Sequence, residues 1–407
     1  MPPTPRAARS AATAGLLTAL GILAATAGPA AAAPPRHRDC TASVPYTAGR
    51  TGYAAYRIPA LVTTRAGTLL AFAEGRRRDA GDTGAIDVVL RRSTDGGCTW
   101  GPLLVVTPGD GDTRGNPTPV VDPATGDIVL LTCANSGAVS EAQIMRGETT
   151  AAQGRRVLVQ TSHDDGRTFT APHDITADTK APGWRWYATG PGHAVALRHG
   201  PHAGRLVVPA NHSTAPPAGS TDTGQEPRHH GAHALLSDDG GRTWRLGFVD
   251  DSHDGTENAN ESSVAELPDG RLYFNARDQN GSSPGNRLDT YSDDGGETLR
   301  RPYAVQHTLD DVPVVQGSLL QLSGGPAAPL LFAAPSVPTA RRSMALWRSA
   351  TGGAAFTRAL TLSTDPAAYC DLVQLGPSHV GILYETGAAG PYETIAFRRL
   401  PVPGPPR

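Results

Sequence analysis

Short apolar runs, each closed by a polar stretch carrying glycine, recur along the whole chain. Asp87-Val88-Val89-Leu90-Arg91-Arg92 and Arg156-Val157-Leu158-Val159-Gln160-Thr161 are two of them. They are rich in β-branched residues and too short for a packed helix, so they predict strands. Further along, Leu272, Phe274 and Ala276 alternate as one face of a strand does, just after Leu267-Pro268-Asp269-Gly270, which reads as a hairpin turn. With 47 Gly and 36 Pro punctuating the chain, long helices are disfavoured and an all-β fold of many short strands is expected.

The polar stretches are copies of one another. Ser93-Thr94-Asp95-Gly96-Gly97-Cys98-Thr99-Trp100 recurs from Ser162 to Phe169, from Ser237 to Trp244 and from Ser292 to Leu299, following the pattern S-x-D-x-G-x-T-aromatic or Leu. A degenerate fifth copy, Ser349 to Phe356, lacks the Asp and the Thr. Copies fall at intervals of roughly 55 to 75 residues, the length of one four-stranded propeller blade with its loops. Each copy follows a predicted strand and therefore occupies a turn. There the Asp accepts backbone N–H groups, a Gly supplies a positive φ, and the aromatic ring buries itself in the sheet. A calcium loop would need a Glu at its twelfth position, and the copies have none.

Composition adds limits. The 407 residues are 39% hydrophobic and 18% charged, enough for a large core. Thirty-six Lys and Arg against 38 Asp and Glu give a formal charge of -2, so no global field recruits nucleic acid or an anionic membrane. At the N-terminus, Arg6 and Arg9 precede the apolar run Leu16 to Ala27 and then Ala30-Ala31-Ala32-Ala33. Residues 1–33 thus read as a secretory signal and 34–407 as the mature domain, an extracellular protein. Pro34 is a poor residue directly after a cut, which leaves room for cleavage a few residues earlier. Cys40, Cys98, Cys133 and Cys370 have a structural reading and allow three pairings, among which sequence does not choose. Beyond the exposed-looking pair His229-His230 the 13 histidines show no metal-ligand spacing, no H-E-x-x-H occurs, and neither metal nor cofactor is expected.

The repeats resemble the Asp boxes of bacterial and animal sialidases, or neuraminidases. That resemblance implies a six-bladed β-propeller with the boxes on the rim away from the active site, here spanning 34–407. It also implies a retaining exo-α-sialidase, acting as a monomer on sialylated glycoproteins, glycolipids or oligosaccharides. Other propellers carry such boxes, so the site must be matched residue by residue. The chemistry says what to seek. Sialic acid bears a carboxylate on its anomeric carbon, which calls for converging arginines. The same anion would repel a carboxylate nucleophile, which rationalises a tyrosine activated by a glutamate.

Arg57, in Tyr56-Arg57-Ile58-Pro59, resembles the family's first arginine. Asp82, in Gly81-Asp82-Thr83-Gly84 and 11 residues before Ser93, matches the loop that carries the acid/base, with Asp79 and Asp87 as alternatives. Arg76 resembles a secondary substrate arginine, next to Arg77 and Arg78. Asn260-Glu261-Ser262 and Asn275-Ala276-Arg277 resemble the blade bearing the activating Glu261 and the second clamp arginine, Arg277; Glu266 is a competing base placed by the turn. Arg341 is favoured over Arg342 as the third arginine. Ala368-Tyr369-Cys370-Asp371-Leu372 resembles the nucleophile motif, although the family usually has Ser at the position of Cys370. Glu385, in Leu383-Tyr384-Glu385, is expected to hold Arg57 by an ion pair. Arg114 to Val121 and Tyr187 to His193 are expected to line the pocket, and Trp184, Trp186 or Tyr187 is either a sugar-stacking ring or core. A sialic-acid lectin would keep the arginines and lack Asp82, Glu261 and Tyr369.

Overall fold

A computed structural model of the chain describes residues 40–251, 255–280 and 286–404; the expected signal, 1–33, lies outside the described residues. Hydrogen bonding gathers the strands into five sheets. Ala259–Glu266, Leu272–Asp278, Arg287–Ser292 and Ala304–Val305 form one four-stranded antiparallel meander, and Ser318–Gln321, Leu330–Val337, Ala340–Ser349 and Thr357–Thr361 form another. A third is built on Trp184–Thr189, Leu206–Thr214, His230–Ser237 and Arg245–Asp250, with Val195–Ala196 added beside Leu206–Thr214. In the fourth, the early strand Ala42–Thr47 pairs with Thr394–Pro401, which continues to His379–Thr386 and Ala367–Gln374, so the two ends of the described chain share one sheet.

The fifth sheet has eight strands where six separate four-stranded sheets were expected. Its cause is small: one parallel bridge, Ile86 to Thr113, joins the meander that begins at Ala55–Thr63 to the one that begins at Thr113–Val121. The first strands of successive sheets pack side by side, and Ala55–Thr63 meets both Thr113–Val121 and Ala367–Gln374. The result is an all-β, β-propeller arrangement with apolar clusters between neighbouring sheets, as where Leu61, Leu69 and Val89 meet Tyr46, Leu383 and Phe397.

The repeats behave as the sequence predicts. In the first, the Asp95 carboxylate accepts Thr99 N at 2.9 Å, Cys98 N at 3.1 Å and the Thr99 hydroxyl at 2.7 Å, while Ser93 Oγ accepts Gly97 N at 2.9 Å. Asp164, Asp239 and Asp294 repeat the pattern. Burial pushes the Asp164 carboxyl up, but the donors of Thr168, Ser162 and Arg167 overcome this and hold it at about 2. Gly97 needs its missing side chain twice over: φ is 90°, and a Cβ would lie 2.1 Å from the Phe397 ring. In the fifth copy Thr351 stands where the Asp would be, and its hydroxyl accepts Ala355 N at 2.9 Å.

Strand direction then separates the two ends of the propeller. Each box follows the third strand of a meander, which runs parallel to the first; the boxes therefore lie at the end opposite the starts of the first strands. At those starts the register slips, between Arg57 and Ala60, Gly115 and Thr118, Trp184 and Tyr187, Ala259 and Ser262, and Ala367 and Cys370. Such bulges bend a strand and re-aim its side chains.

Cys40 and Cys98 form a disulfide that ties the chain before Ala42–Thr47 to the first box, and Cys133 and Cys370 are free and buried. His229 and His230 are 4% and 1% exposed, which corrects their exposed reading: the strand His230–Ser237 is central in its sheet.

Candidate active site

All eight expected site residues lie at one end of the propeller, at starts of odd strands, at ends of even strands, or, for Asp82, in the loop between. Arg57 enters with its strand Ala55–Thr63 and is 5% exposed. Its Nε donates to Glu385 Oε1 at 2.9 Å, and the same oxygen accepts Ile58 N at 2.8 Å. Ile58 has a φ of 56°, left-handed and unfavourable for a β-branched residue, so this carboxylate pins a strained turn. The other Glu385 oxygen accepts Tyr369 N at 3.1 Å, and Glu385 is wholly buried. One carboxylate thus fixes both the first arginine and the tyrosine backbone.

Tyr369 donates its hydroxyl to Glu261 Oε1 at 2.5 Å, and Arg277 Nη1 reaches Glu261 Oε2 at 3.0 Å and Tyr369 Oη at 3.5 Å. Burial raises the Tyr369 phenol strongly and the Glu261 charge adds to it, against the pull of Arg277, Arg341 and Arg57. Arg277 keeps its charge firmly: burial lowers its pKa, and Glu261 and Tyr369 more than reverse this.

Arg57 and Arg341 lie over the Tyr369 ring at 5.1 and 5.6 Å. Adjacent in sequence, Arg341 and Arg342 point apart, and Arg342 is exposed and donates to Thr364 O at 3.0 Å. Asp82 sits 2.9 Å from Arg76 Nη1 and 3.8 Å from Arg57 Nη1, half-exposed. Partial burial pushes its carboxyl up, but Arg76, Arg57 and Arg341 together hold it below the usual range.

The alternatives fall elsewhere. Asp87 is buried and accepts Tyr53 Oη at 2.7 Å and Gly109 N at 2.6 Å, Arg77 pairs with Asp87, and Asp79 caps Gly81 N. Glu266 accepts Arg198 N and His199 N at 2.7 and 2.9 Å, beside a cavity of about 570 Å³ that none of the eight residues lines. The three aromatic candidates are core: Trp184 stacks on His212, Tyr187 donates to Thr179 O, and Trp186 packs with Val139, Ile144 and Met145 beneath the Arg155 guanidinium.

Several residues near the site, Asn116 and Asp371 within expected motifs and the others outside them, have partners that the sequence does not reveal. Glu74 holds Arg76 at 2.6 Å and accepts Asn116 N at 2.8 Å; Asn116 Oδ1 in turn accepts Arg155 at 2.6 Å. Glu141 opens the short helix Glu141–Arg146, whose Ser140–Gln143 capping box is a legible helix start. Burial pushes its carboxyl up to about 7, with Asp82 and Glu261 adding and Arg155 and Arg277 opposing. Asp371 lies 1% exposed and accepts Leu61 N, His193 N and Ser318 Oγ, tying three first strands or their loops together. Among the described residues, Asp222, Glu226 and His229 bring ligand-type atoms within 4.8 Å of one another. The Asp222 carboxylate is already paired with Arg228, and Glu226 accepts Thr223 N and Gly224 N.

Asp boxes at one end of a β-propeller, and at the other three arginines around a tyrosine hydrogen-bonded to a glutamate, define an Asp-box propeller of sialidase type. The chain belongs to the Asp-box sialidase family: the BNR repeat-like domain model matches residues 67–382. It is 33% identical over 357 residues to a sialidase of Micromonospora viridifaciens, covering 83% of this chain and 51% of that one, so it spans about half that relative's length. It is 32% identical to Sialidase-2 of Mus musculus, over 86% of this chain and 92% of that one. Among solved structures, the Hadza microbial sialidase Hz136 superposes with a TM-score of 0.73 at 28% identity, covering 87% of this chain and 67% of that one.

Proposed function

We propose that the chain is a secreted, retaining exo-α-sialidase that hydrolyses terminal sialic acid from glycoconjugates. The observation that carries the reading is the meeting of Arg57, Arg277 and Arg341 around the Tyr369–Glu261 hydrogen bond. Three guanidinium groups bind the carboxylate on the anomeric carbon. Glu261, 2.5 Å from the phenol, takes the proton as Tyr369 attacks that carbon. A neutral phenol approaches the anionic sugar without the repulsion a carboxylate would meet. Asp82 protonates the leaving oxygen and then activates the water that releases the sugar. No cofactor is called on.

Asp82 must be protonated to act first, yet the arginines around it favour its anion. The substrate resolves this: its carboxylate offsets the charge of Arg57 and Arg341, so the Asp82 pKa rises once the site is filled. The proposal includes export with cleavage of residues 1–33, action as a monomer, and six blades, since either side of the single Ile86–Thr113 bridge is a meander of its own.

The test is release of sugar from a fluorogenic sialoside, with other glycosides as comparison. Tyr369→Phe should lose turnover by roughly 10²-fold or more while remaining folded, and NMR should detect the α-anomer first. Wild-type-like turnover in the variant, or β-anomer first, overturns the mechanism; cleavage of neutral glycosides alone overturns the substrate.

A further inference from the structure

We propose that Tyr392 is a positioning residue of the arginine clamp, holding Arg57 with its ring and Arg341 with its hydroxyl so that both cations stay aimed at the substrate carboxylate. The inference rests on the sialidase reading above. The Arg57 guanidinium lies 4.0 Å from the Tyr392 ring centroid, closer than to the Tyr369 ring, and Arg341 Nη1 donates to Tyr392 Oη at 3.0 Å. Tyr392 therefore touches two cations at once, one through its π face and one through an oxygen lone pair.

The need for such a contact is electrostatic. Arg57 has a carboxylate at its Nε, whereas among the described residues no carboxylate lies within ion-pair distance of Arg341. Its polar partners are neutral: Tyr392 Oη and Val314 O, the latter at 3.3 Å. An anion in place of Tyr392 would orient the two guanidinium groups equally well but would neutralise the charge meant for the substrate. A phenol orients them and leaves that charge intact. Holding both before binding also spares the ordering of two long side chains on binding.

The segment bearing Tyr392 is itself tied down. The Glu393 carboxylate accepts Ala388 N at 2.9 Å and Ala389 N at 3.0 Å, Glu393 O accepts Ala48 N at 2.9 Å, and the strand Thr394–Pro401 begins at the next residue. The ring is partly buried against the cluster that contains Ile58 and Tyr369. A tethered base and a two-cation head make Tyr392 a brace rather than a surface ring.

Tyr392→Phe keeps the ring and deletes the hydroxyl. For the fluorogenic sialoside, KM should rise roughly fivefold with kcat within about twofold, the pattern of lost binding shared by ground and transition states. Inhibition by free sialic acid should weaken to a similar degree, and Tyr392→Leu, which also removes the π face, should raise KM further. Melting curves of both variants separate these effects from loss of fold. An unchanged KM in Tyr392→Phe, or a fall in kcat at constant KM, overturns the inference while leaving the sialidase reading intact; a wild-type protein that leaves the sialoside uncut overturns that reading instead.

Discussion

Glu385→Gln is the substitution whose consequences can be worked furthest. The wild-type carboxylate, wholly buried, accepts three donors: Arg57 Nε at 2.9 Å, Ile58 N at 2.8 Å and Tyr369 N at 3.1 Å. Glutamine has nearly the same shape but only one acceptor oxygen. Whichever way the amide turns, its NH2 faces a donor, and Arg57 loses its nearest counter-charge. Removing one partner of a buried ion pair costs about 3–5 kcal/mol. Arg57 keeps Asp82 at 3.8 Å and the rings of Tyr369 and Tyr392, which places the expected loss toward the lower end, about 3 kcal/mol. Ile58 at a φ of 56° loses its anchor at the same time, so the turn that carries Arg57 loosens. Urea denaturation should therefore give a lower midpoint with an unchanged slope, and KM for the sialoside should rise. A variant within about 0.5 kcal/mol of wild type, the scatter of an ordinary surface substitution, would refute the claim that this carboxylate holds the site together.

Other outcomes follow from the same geometry. In the free protein the Asp82 pKa is depressed, so its acid form disappears as pH rises from low values; in the filled site the substrate anion offsets the share of that depression due to Arg57 and Arg341. The alkaline fall of kcat should therefore lie at higher pH than that of kcat/KM, and coincident limbs would count against Asp82 as the acid. Arg341→Ala should raise KM at least tenfold while Arg342→Ala leaves it within about twofold, in line with the outward turn of Arg342; a reversed pair of results exchanges the two roles. Reducing the Cys40–Cys98 disulfide, which closes a separation of 58 residues, should cost about 2–4 kcal/mol of stability by freeing the early strand in the unfolded chain, read as a melting shift with and without reductant.

The boxes were legible because their chemistry is local. Ser, Asp, Gly and Thr satisfy one another within eight positions, so the spacing of side chains along the chain already specifies the turn, and the strand before it follows from its own apolar run. The order Arg57, Asp82, Glu261, Arg277, Arg341, Tyr369, Glu385 was legible through resemblance, and the parity of the meanders explains why such scattered positions share one end. What the sequence could not decide depends on register and on contacts between distant strands. Arg341 and Arg342 point apart as neighbours in any strand do, and which of them faces the site depends on how their strand pairs. Glu74 and Tyr392 carry no motif, and Asn116, within a stretch expected to line the pocket, takes its role only from partners that other strands bring to it. The choice of Cys98 as the partner of Cys40, the burial of His229 and His230, and the joining of two meanders through Ile86 and Thr113 likewise belong to the tertiary structure. Arg57 and Glu385 stand 328 residues apart, and closing the ring is what makes them neighbours.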